Sequence, residues 1–171
     1  MGYHLPGPGY LAPWEVSVVV IGIDPGTMCG WALVDDQGKR QASGVWDLRA
    51  RRHEGGGMRY LRVRRYLEEL LDHAEGHGFP VVAYEEVRRH RGTDAAHVYG
   101  GIVASIVTVC EERRVPYTAI PVGTAKRAAT GRGNATKIEM TEAFIACTGL
   151  EPESDDESDA YWVAVAQCQQ L

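Results

Sequence analysis

The sequence has no uninterrupted apolar run of about 18 residues, which is the length that a membrane-spanning helix requires. Residues 1–15 are not predicted to be a secretory signal, because they contain no basic segment followed by an apolar stretch. The glycine, proline and aromatic residues of this segment predict a flexible N-terminal arm. We therefore expect a cytoplasmic protein.

Cysteine is scarce and scattered, and none of the four cysteines lies close to another in the sequence. This spacing argues against both a zinc site and a disulfide framework. Cys110 and Cys147 stand among apolar residues and are predicted to be small core residues. The 171 residues, 44% of them apolar, suffice for one domain with a sizeable core, which we place at residues 16–171.

An excess of positive charge is also absent, since the formal net charge is −5, and this at first argues against a nucleic-acid partner. The distribution changes that interpretation, because six of the 23 acidic residues fall within residues 151–159. The basic residues form three clusters, which either attract phosphates or make solvated helix faces. The clusters are Arg49, Arg51, Arg52, Arg59, Arg62, Arg64 and Arg65; Arg88, Arg89 and Arg91; and Lys126, Arg127, Arg132 and Lys137.

Hydrophobic periodicity and turn signals predict strands and helices in the order β-β-β-α-β-α-β-α. Thr93 or Asp94 is predicted to cap the second helix. Three closely spaced strands followed by alternating elements predict an α/β fold, a mixed five-stranded sheet with helices on both faces. The predicted strands are at 17–24, 31–34, 41–48, 80–87 and 115–122. The predicted helices are at 58–75, from the cap at 93 or 94 to about 114, at 123–148 (one or two helices) and from 154 almost to the C-terminus.

Asp24 ends the first predicted strand, whose residues from Val18 to Ile23 are apolar or glycine on both faces. A carboxylate at the end of such a buried strand is unfavourable unless a partner or a metal compensates its charge. Pro25 and Gly26 follow it, and Asp-Pro-Gly is also an ordinary turn sequence. Asp24 is therefore either a functional acid or a turn-forming residue.

Two acids interrupt the apolar strand at 80–87. Strand alternation places Glu85 on the same face as Ala83, and Glu86 on the opposite face with Tyr84. One of these acids is expected to point toward a packed or functional face. An exposed strand end is the alternative.

The last predicted helix begins with a group of acids for which a structural explanation exists. Ser154 and Glu157 have the spacing of a capping box, in which the glutamate reaches back to the first residue. Acids in a first helical turn also interact favourably with the helix dipole. This explanation accounts for residues 155–157.

Asp159 is not explained in this way, because it shares a helix face with Trp162 and Val163, which are expected to pack on the sheet. Asp156 lies one turn earlier on that face, and Asp155 is the alternative partner. Carboxylates gathered from two strands and a helix suit hard divalent cations such as Mg²⁺ or Mn²⁺. Two such ions about 4 Å apart can activate water and stabilise the leaving oxygen of a phosphodiester.

The ordered set of motifs resembles the RuvC family of Holliday junction resolvases, over about residues 18–168. Residues 22–26 match the first motif of the family, and residues 83–87 resemble the second, which selects Glu85 over Glu86. Residues 156–160 have the paired-aspartate spacing of the family, and residues 122–137 are similar to its basic segment.

The resemblance implies an RNase H-like nuclease domain, a homodimer through the helix at 94–113, and metal-dependent cutting of four-way DNA junctions by paired nicks with 5′-phosphate products. It implies that Lys126 and Lys137 contact phosphates near the cut, and that Lys137 supports catalysis. It also implies that two Mg²⁺ ions, for which Mn²⁺ can substitute, are bound by Asp24, Glu85, Asp156 and Asp159.

One departure concerns the residue three positions after Glu85, where many bacterial members carry an aromatic side chain and this chain has Arg88. We expect the loop with Arg88, Arg89 and Arg91 either to bind phosphates or to wedge the junction electrostatically. Arg127 and Arg132 of the basic segment are also expected to bind DNA. The N-terminal arm and the glycine run at 55–57 also differ from the compact bacterial form, so a phage-type member and a phage-infected bacterial host stay open.

Three other functions fit part of these observations. A non-catalytic module for branched DNA needs the basic clusters but not the carboxylates. A related nuclease acting on flaps, RNA–DNA hybrids or structured RNA needs the same carboxylates. An actin-like phosphotransferase also begins with a strand and a glycine turn, but residues 131–137 lack the glycine that precedes the lysine of a P-loop.

Overall fold

A five-stranded mixed sheet organises residues 17–88 and 92–171, which are the residues that the computed structural model describes. The strand order is β3-β2-β1-β4-β5, with antiparallel pairing from β1 to β3 and parallel pairing of β4 with β1 and β5. The predicted arm at 1–15 lies outside the described residues. The strands are β1 (Val18–Asp24), β2 (Met28–Asp35), β3 (Arg40–Asp47), β4 (Phe79–Glu86) and β5 (Tyr117–Pro121).

Five helices cover the two faces of this sheet, which confirms the predicted α/β architecture. The first two helices pack on one face and the last three on the other. The predicted helical region at 123–148 is two helices, and Gly131, in the left-handed region at φ 76°, ends the first of them. The helices are α1 (Met58–Glu75), α2 (Thr93–Arg113), α3 (Val122–Thr130), α4 (Lys137–Thr148) and α5 (Asp155–Cys168).

The helix caps differ from the sequence prediction at two sites. Gly92 caps α2 without any side-chain hydrogen bond, so the prediction of Thr93 or Asp94 as the cap is wrong. Ser154 does precede α5, but its side chain makes no cap hydrogen bond. A capping box is present instead at the start of α4, where residues 136 and 139 bond each other reciprocally.

Glu157 explains why the predicted capping box of α5 does not form. Its carboxylate is buried against β3, where it accepts a hydrogen bond from the Ser43 hydroxyl and lies 3.8 Å from the Arg40 guanidinium. It also accepts from the backbone N–H of Glu153, one residue before the predicted partner. These contacts tie the first turn of α5 to the edge strand β3.

Two strand glycines let α5 lie directly against the sheet. A Cβ atom on Gly22 would lie 2.2 Å from the carbonyl oxygen of Ala160, and one on Gly30 would lie 1.8 Å from that of Asp156. Both distances are far shorter than a carbon–oxygen contact allows, so only glycine fits. The N-terminus of α5 therefore lies close to the carboxyl end of β1.

Helix α2 keeps much of its apolar surface uncovered. It is long and apolar enough to cross a membrane by length and composition, and 22% of its most apolar stretch is buried. One such helix is weak evidence for a membrane span, because helices of cores and interfaces share these properties. Its buried side chains all face the sheet and α1, and its other side exposes small residues such as Gly100 and Ala104.

The cysteine prediction holds for Cys110, which is fully buried in the core beneath α1 and α2. It is wrong for Cys147, which is exposed near the end of α4. The helix turns Cys147 outward, while Phe144, three residues earlier, faces the sheet. None of the described cysteines forms a disulfide, as the spacing predicts.

Candidate functional site

Four of the predicted acids meet at one edge of the sheet. Asp24 ends β1, and Glu85 lies near the end of the neighbouring parallel strand β4. Ala83 packs into the core on the α5 side, so alternation turns Glu85 toward α5 as well. Asp156 and Asp159 enter from the start of α5. We call Asp24, Glu85, Asp156 and Asp159 the acidic cluster.

The electrostatics of Asp24 show that the cluster is a site of uncompensated negative charge. Burial raises the pKa of Asp24 well above its usual range, and the charges of Glu85, Asp159 and Asp156 raise it further. Lys137 lowers it, but by less than the other groups raise it. A residue that only formed a turn would not face three other carboxylates, so the structure favours the functional interpretation of Asp24.

Glu85 and Asp159 share this electrostatic environment. Burial raises the pKa of Glu85 from 4.5 to about 7, and the charge of Asp159 adds to the shift. Burial also raises the pKa of Asp159. Lys126 and Lys137 both lower the pKa of these two acids, which places both lysines beside the cluster.

Lys137, the first residue of α4, lies between the acidic cluster and the exposed Asp155. Its ammonium lies 3.2 Å from Asp155 Oδ2, on the exposed side of α5. Partial burial lowers the pKa of Lys137, but the bond to Asp155 and the nearby charges of Asp159 and Asp156 raise it overall. Because Asp155 is exposed and paired in this way, Asp156 is the residue of the pair whose charge acts on Asp24.

The donor chemistry of the acidic cluster fits a hard divalent cation, since all four side chains offer carboxylate oxygens. In the described part of the chain, however, no three His, Cys, Asp or Glu side chains are already arranged to hold a metal ion. Like charges at close range repel, so the side chains have reason to stay apart without a cation. Ligation of one cation by these carboxylates would therefore require them to come closer together.

The raised pKa of Glu85 leads to a prediction about stability and pH in EDTA. Between about pH 4.5 and pH 7 the folded protein binds more protons at Glu85 than the unfolded chain does, so this contribution to stability falls as pH rises. Asp24 acts in the same direction. We expect Glu85→Gln to flatten the decrease in urea-unfolding free energy from pH 5 to pH 8. The matched control is Glu86→Gln, on the other strand face, and equal pH slopes for wild type and Glu85→Gln would contradict the pKa assignment.

The other predicted DNA-binding residues that the structure describes are Arg88, Arg127 and Arg132, and they differ in how available their guanidinium groups are. Arg88 is largely exposed and its guanidinium lies 3.1 Å from Glu86 Oε2. Arg132 pairs with Glu139 at the start of α4. Arg127 lies against Gly133 in the turn between α3 and α4. Arg89 and Arg91, also predicted to bind DNA, lie outside the described residues.

Four of the seven arginines of the first basic cluster, at 49–65, form ion pairs within the fold. Arg49 pairs with Asp47, Arg62 with Glu54, and Arg64 with Glu112. Arg65 pairs with Glu69 along the exposed face of α1. These ion pairs favour the alternative interpretation of this cluster as a solvated surface.

Two features of the site have no counterpart in the sequence-based prediction. Gly30 brings α5 to β2, and the available signal was a glycine within an otherwise apolar strand. Tyr99 of α2 bonds the backbone on both sides of Glu86, with its hydroxyl 2.8 Å from the carbonyl oxygen of Glu85. No sequence pattern marks a helical tyrosine as the partner of a strand end.

Comparison with known proteins gives a consistent result. The family model for the crossover junction endodeoxyribonuclease RuvC matches residues 20–168. The RuvC protein of Nitratidesulfovibrio vulgaris strain Hildenborough is 31% identical over 159 residues, covering 90% of this chain and 92% of the relative. The RuvC protein of Rhodococcus jostii strain RHA1 is 31% identical over 160 residues, covering 87% and 80% respectively.

The same fold is present in solved structures. Thermus thermophilus RuvC in complex with a Holliday junction substrate superposes with a TM-score of 0.75 at 26% identity, covering 86% of this chain and 91% of that chain. A second Thermus thermophilus RuvC structure gives a TM-score of 0.73 at the same identity. The match confirms the RNase H-like fold expected from the motifs.

Proposed function

Because the chain belongs to the RuvC family of crossover junction endodeoxyribonucleases and is an endonuclease, we propose that it resolves four-way DNA junctions by symmetric paired nicks. Such resolution is a step of DNA recombination and repair. The observation that carries the proposal is the acidic cluster, in which the half-buried Asp24 faces three other carboxylates beside two lysines. A module that only bound DNA would not require four mutually repelling carboxylates beside its lysines.

The acidic cluster is proposed to bind two divalent cations, with Mg²⁺ as the resident ion and Mn²⁺ as a substitute. When bound, the cations supply activation of the attacking water and stabilisation of charge on the phosphate. Asp24, Glu85, Asp156 and Asp159 would hold them. Ligation also relieves the repulsion that, together with burial, raises the pKa values of Asp24, Glu85 and Asp159 in the free protein.

Lysines beside the cluster are proposed to bind the scissile phosphate and its neighbours. Lys137 follows the N-terminal cap of α4 and keeps its proton at neutral pH, because its pKa is raised. It therefore offers a fixed positive charge to the phosphate oxygens as negative charge develops on them. Lys126 faces the cluster from α3 and would contact the adjacent backbone.

The approach of DNA depends on the chain beside Asp24. Pro25 and Gly26 turn the backbone away from the carboxylate, and the turn leads directly into β2. The loop that begins at Arg88 follows Glu85 by three residues, so phosphates held by this loop would lie near the cut. We propose that Arg88, Arg89 and Arg91 act there, with Arg127 and Arg132 on the opposite side.

A homodimer through α2 is part of the proposal, since a two-fold symmetric enzyme suits a substrate with two equivalent strands. The uncovered side of α2, with Gly100 and Ala104, allows close approach of a second copy of the helix. We place this dimer in the cytoplasm of a bacterial cell, because the relatives described above are bacterial.

The dimer leads to a prediction for Ala104→Glu, which adds a charge at the centre of the exposed side of α2. We expect a dimer-to-monomer change in analytical ultracentrifugation, because burying an unpaired charge is unfavourable. In a cruciform plasmid assay, linear product from paired nicks should give way to singly nicked circles. The matched control is Ala146→Glu, on the exposed side of α4. A dimer that persists in Ala104→Glu would place the interface elsewhere.

The direct test of the function is a substrate panel in Mg²⁺ or Mn²⁺. The panel holds a synthetic four-way junction, a flap, a linear duplex and an RNA–DNA hybrid, each labelled at every 5′ end. We expect symmetric cuts in two opposing junction strands, with 5′-phosphate and 3′-hydroxyl ends. Preferential cutting of the flap or the hybrid would instead support the related nuclease with another substrate.

A further inference from the structure

The hydroxyl of Tyr99, on α2, makes two hydrogen bonds to the backbone at the end of β4. It donates to the carbonyl oxygen of Glu85 at 2.8 Å and accepts from the backbone N–H of Val87 at 3.0 Å. Both groups belong to the segment that carries the Glu85 side chain into the acidic cluster. The contact therefore links α2 to the position of one proposed metal ligand.

The direction of the two backbone groups follows from the sheet. The N–H of Val82 donates to the carbonyl oxygen of Pro116, which precedes β5. In a parallel ladder, residues two apart point their backbone groups to the same side. Even-numbered residues of β4 therefore face β5, whereas Glu85 and Val87 face β1.

On the side that faces β1, no backbone N–H of β1 is placed to donate a ladder hydrogen bond to the carbonyl oxygen of Glu85. The last pair of the register joins Ile23 to Tyr84, so the next bonding position on β1 belongs to Pro25. Proline has no N–H and cannot donate to the carbonyl oxygen of Glu85. The chain also turns away here, toward β2. The Asp-Pro-Gly sequence thus ends the ladder one rung before the end of β4.

We propose that Tyr99 replaces this missing rung and is a positioning residue for Glu85, holding its main chain so that the carboxylate faces the cation-binding centre. The inference rests on the proposed function, because it takes the acidic cluster as the metal site. Supports of this kind, behind a metal ligand, typically change metal affinity by about 10- to 100-fold when removed.

The surroundings of Tyr99 allow the role to be tested without unfolding the protein. A cavity of about 360 Å³ borders Tyr99, Val87 and Pro25. Water has room there to hydrate the two backbone groups when the hydroxyl is removed. Tyr99→Phe keeps the ring and its packing, so the strand end loses a fixed partner while the fold persists.

The experiment measures Mn²⁺ binding to the full chain without DNA, from the electron paramagnetic resonance signal of free Mn²⁺, together with amide exchange at Val87 by NMR. For Tyr99→Phe we expect the Kd for Mn²⁺ to rise about tenfold. We expect exchange of the Val87 amide to accelerate by about tenfold, because the hydrogen bond that this amide donates to Tyr99, of ordinary net strength, is lost. Amides elsewhere in the sheet should keep their wild-type rates.

The matched control is Tyr117→Phe, which loses a 2.8 Å hydrogen bond to Glu111 at the exposed start of β5. It should change neither readout. Faster exchange at Val87 with an unchanged Kd would show that Tyr99 only stabilises the strand end, and it would overturn the positioning role, as would unchanged exchange. Glu85→Gln is measured in parallel. If Glu85→Gln also bound Mn²⁺ as the wild type does, the acidic cluster would not be the metal site and the proposed function itself would fail.

Discussion

Asp24→Asn should lower the rate of nicking of a four-way junction by about 10³-fold while leaving junction binding intact. Asparagine has nearly the same size as aspartate but carries no charge, so the cluster loses the acid that faces the other three. Removing one preorganised electrostatic contact to a developing transition-state charge lowers kcat by about 10²–10³-fold in acyl transfer. We expect a loss at the upper end of that range, because the charges of all three other acids of the cluster act on Asp24.

Junction affinity, in contrast to the nicking rate, should not fall in Asp24→Asn. Junction affinity depends on contacts between basic residues and phosphates, and its salt dependence counts them. Asp24→Asn removes no such contact and lowers the negative charge near the phosphate. In Ca²⁺ or EDTA, gel-shift affinity should therefore equal or exceed that of the wild type, with an unchanged salt slope. Nicking at the wild-type rate by this variant would reject the assignment of Asp24.

The same variant should stabilise the metal-free protein at pH 8. In the wild type, the half-buried Asp24 carboxylate is repelled by Glu85, Asp159 and Asp156, and this repulsion opposes folding when the acids are charged. We expect Asp24→Asn to raise the Tm in EDTA by about 2–4 °C for each kcal/mol of repulsion relieved. The matched control is Asp36→Asn in the exposed turn before β3, which should alter neither Tm nor nicking.

Local patterns in the sequence were sufficient for most of the fold. The leucine spacing at 58–75 gave the bounds of α1 without error, because one apolar face of a helix is a local signal. The strand that ends in Asp24 was equally clear, since burial on both faces leaves a continuous apolar run. Strand alternation separated Glu85 from Glu86 onto opposite strand faces, but only the resemblance to the second family motif selected Glu85, which the structure turns toward α5.

Features that depend on distant residues were not visible in the sequence. Glu157 and Ser154 have the spacing of a capping box, but Ser43, 114 residues away, is the partner that Glu157 finds. Tyr99 hydrogen-bonds the end of β4 because Pro25 interrupts the backbone ladder between β1 and β4. Local spacing predicts local hydrogen bonds, and a buried polar group takes whichever partner the packed fold places beside it.

Gly30→Ala should disable the enzyme without touching any acid of the cluster. The added Cβ would lie 1.8 Å from the carbonyl oxygen of Asp156, so α5 must move away from β2 by about 1 Å or more. A displacement of about 1 Å in a catalytic group can reduce the rate by about 10²-fold. We expect a nicking loss of that size, measured at a temperature at which circular dichroism shows the variant to be folded. Overpacking of this kind also lowers the free energy of unfolding by about 1–3 kcal/mol.

A matched glycine separates displacement of α5 from the general effect of replacing glycine. Gly57 precedes α1 in a helical conformation with φ −67°, and a Cβ atom there would meet nothing within 4 Å. Gly57→Ala should therefore keep full nicking activity and wild-type stability or better.

Gly22→Ala tests the same interface one strand away, where the Cβ would lie 2.2 Å from the carbonyl oxygen of Ala160. If Gly30→Ala and Gly22→Ala fold and nick at the wild-type rate, the close packing of α5 on the sheet does not position Asp156 and Asp159. Loss of nicking in both, with junction binding retained, follows if α5 delivers these two acids to Asp24 through its glycine contacts.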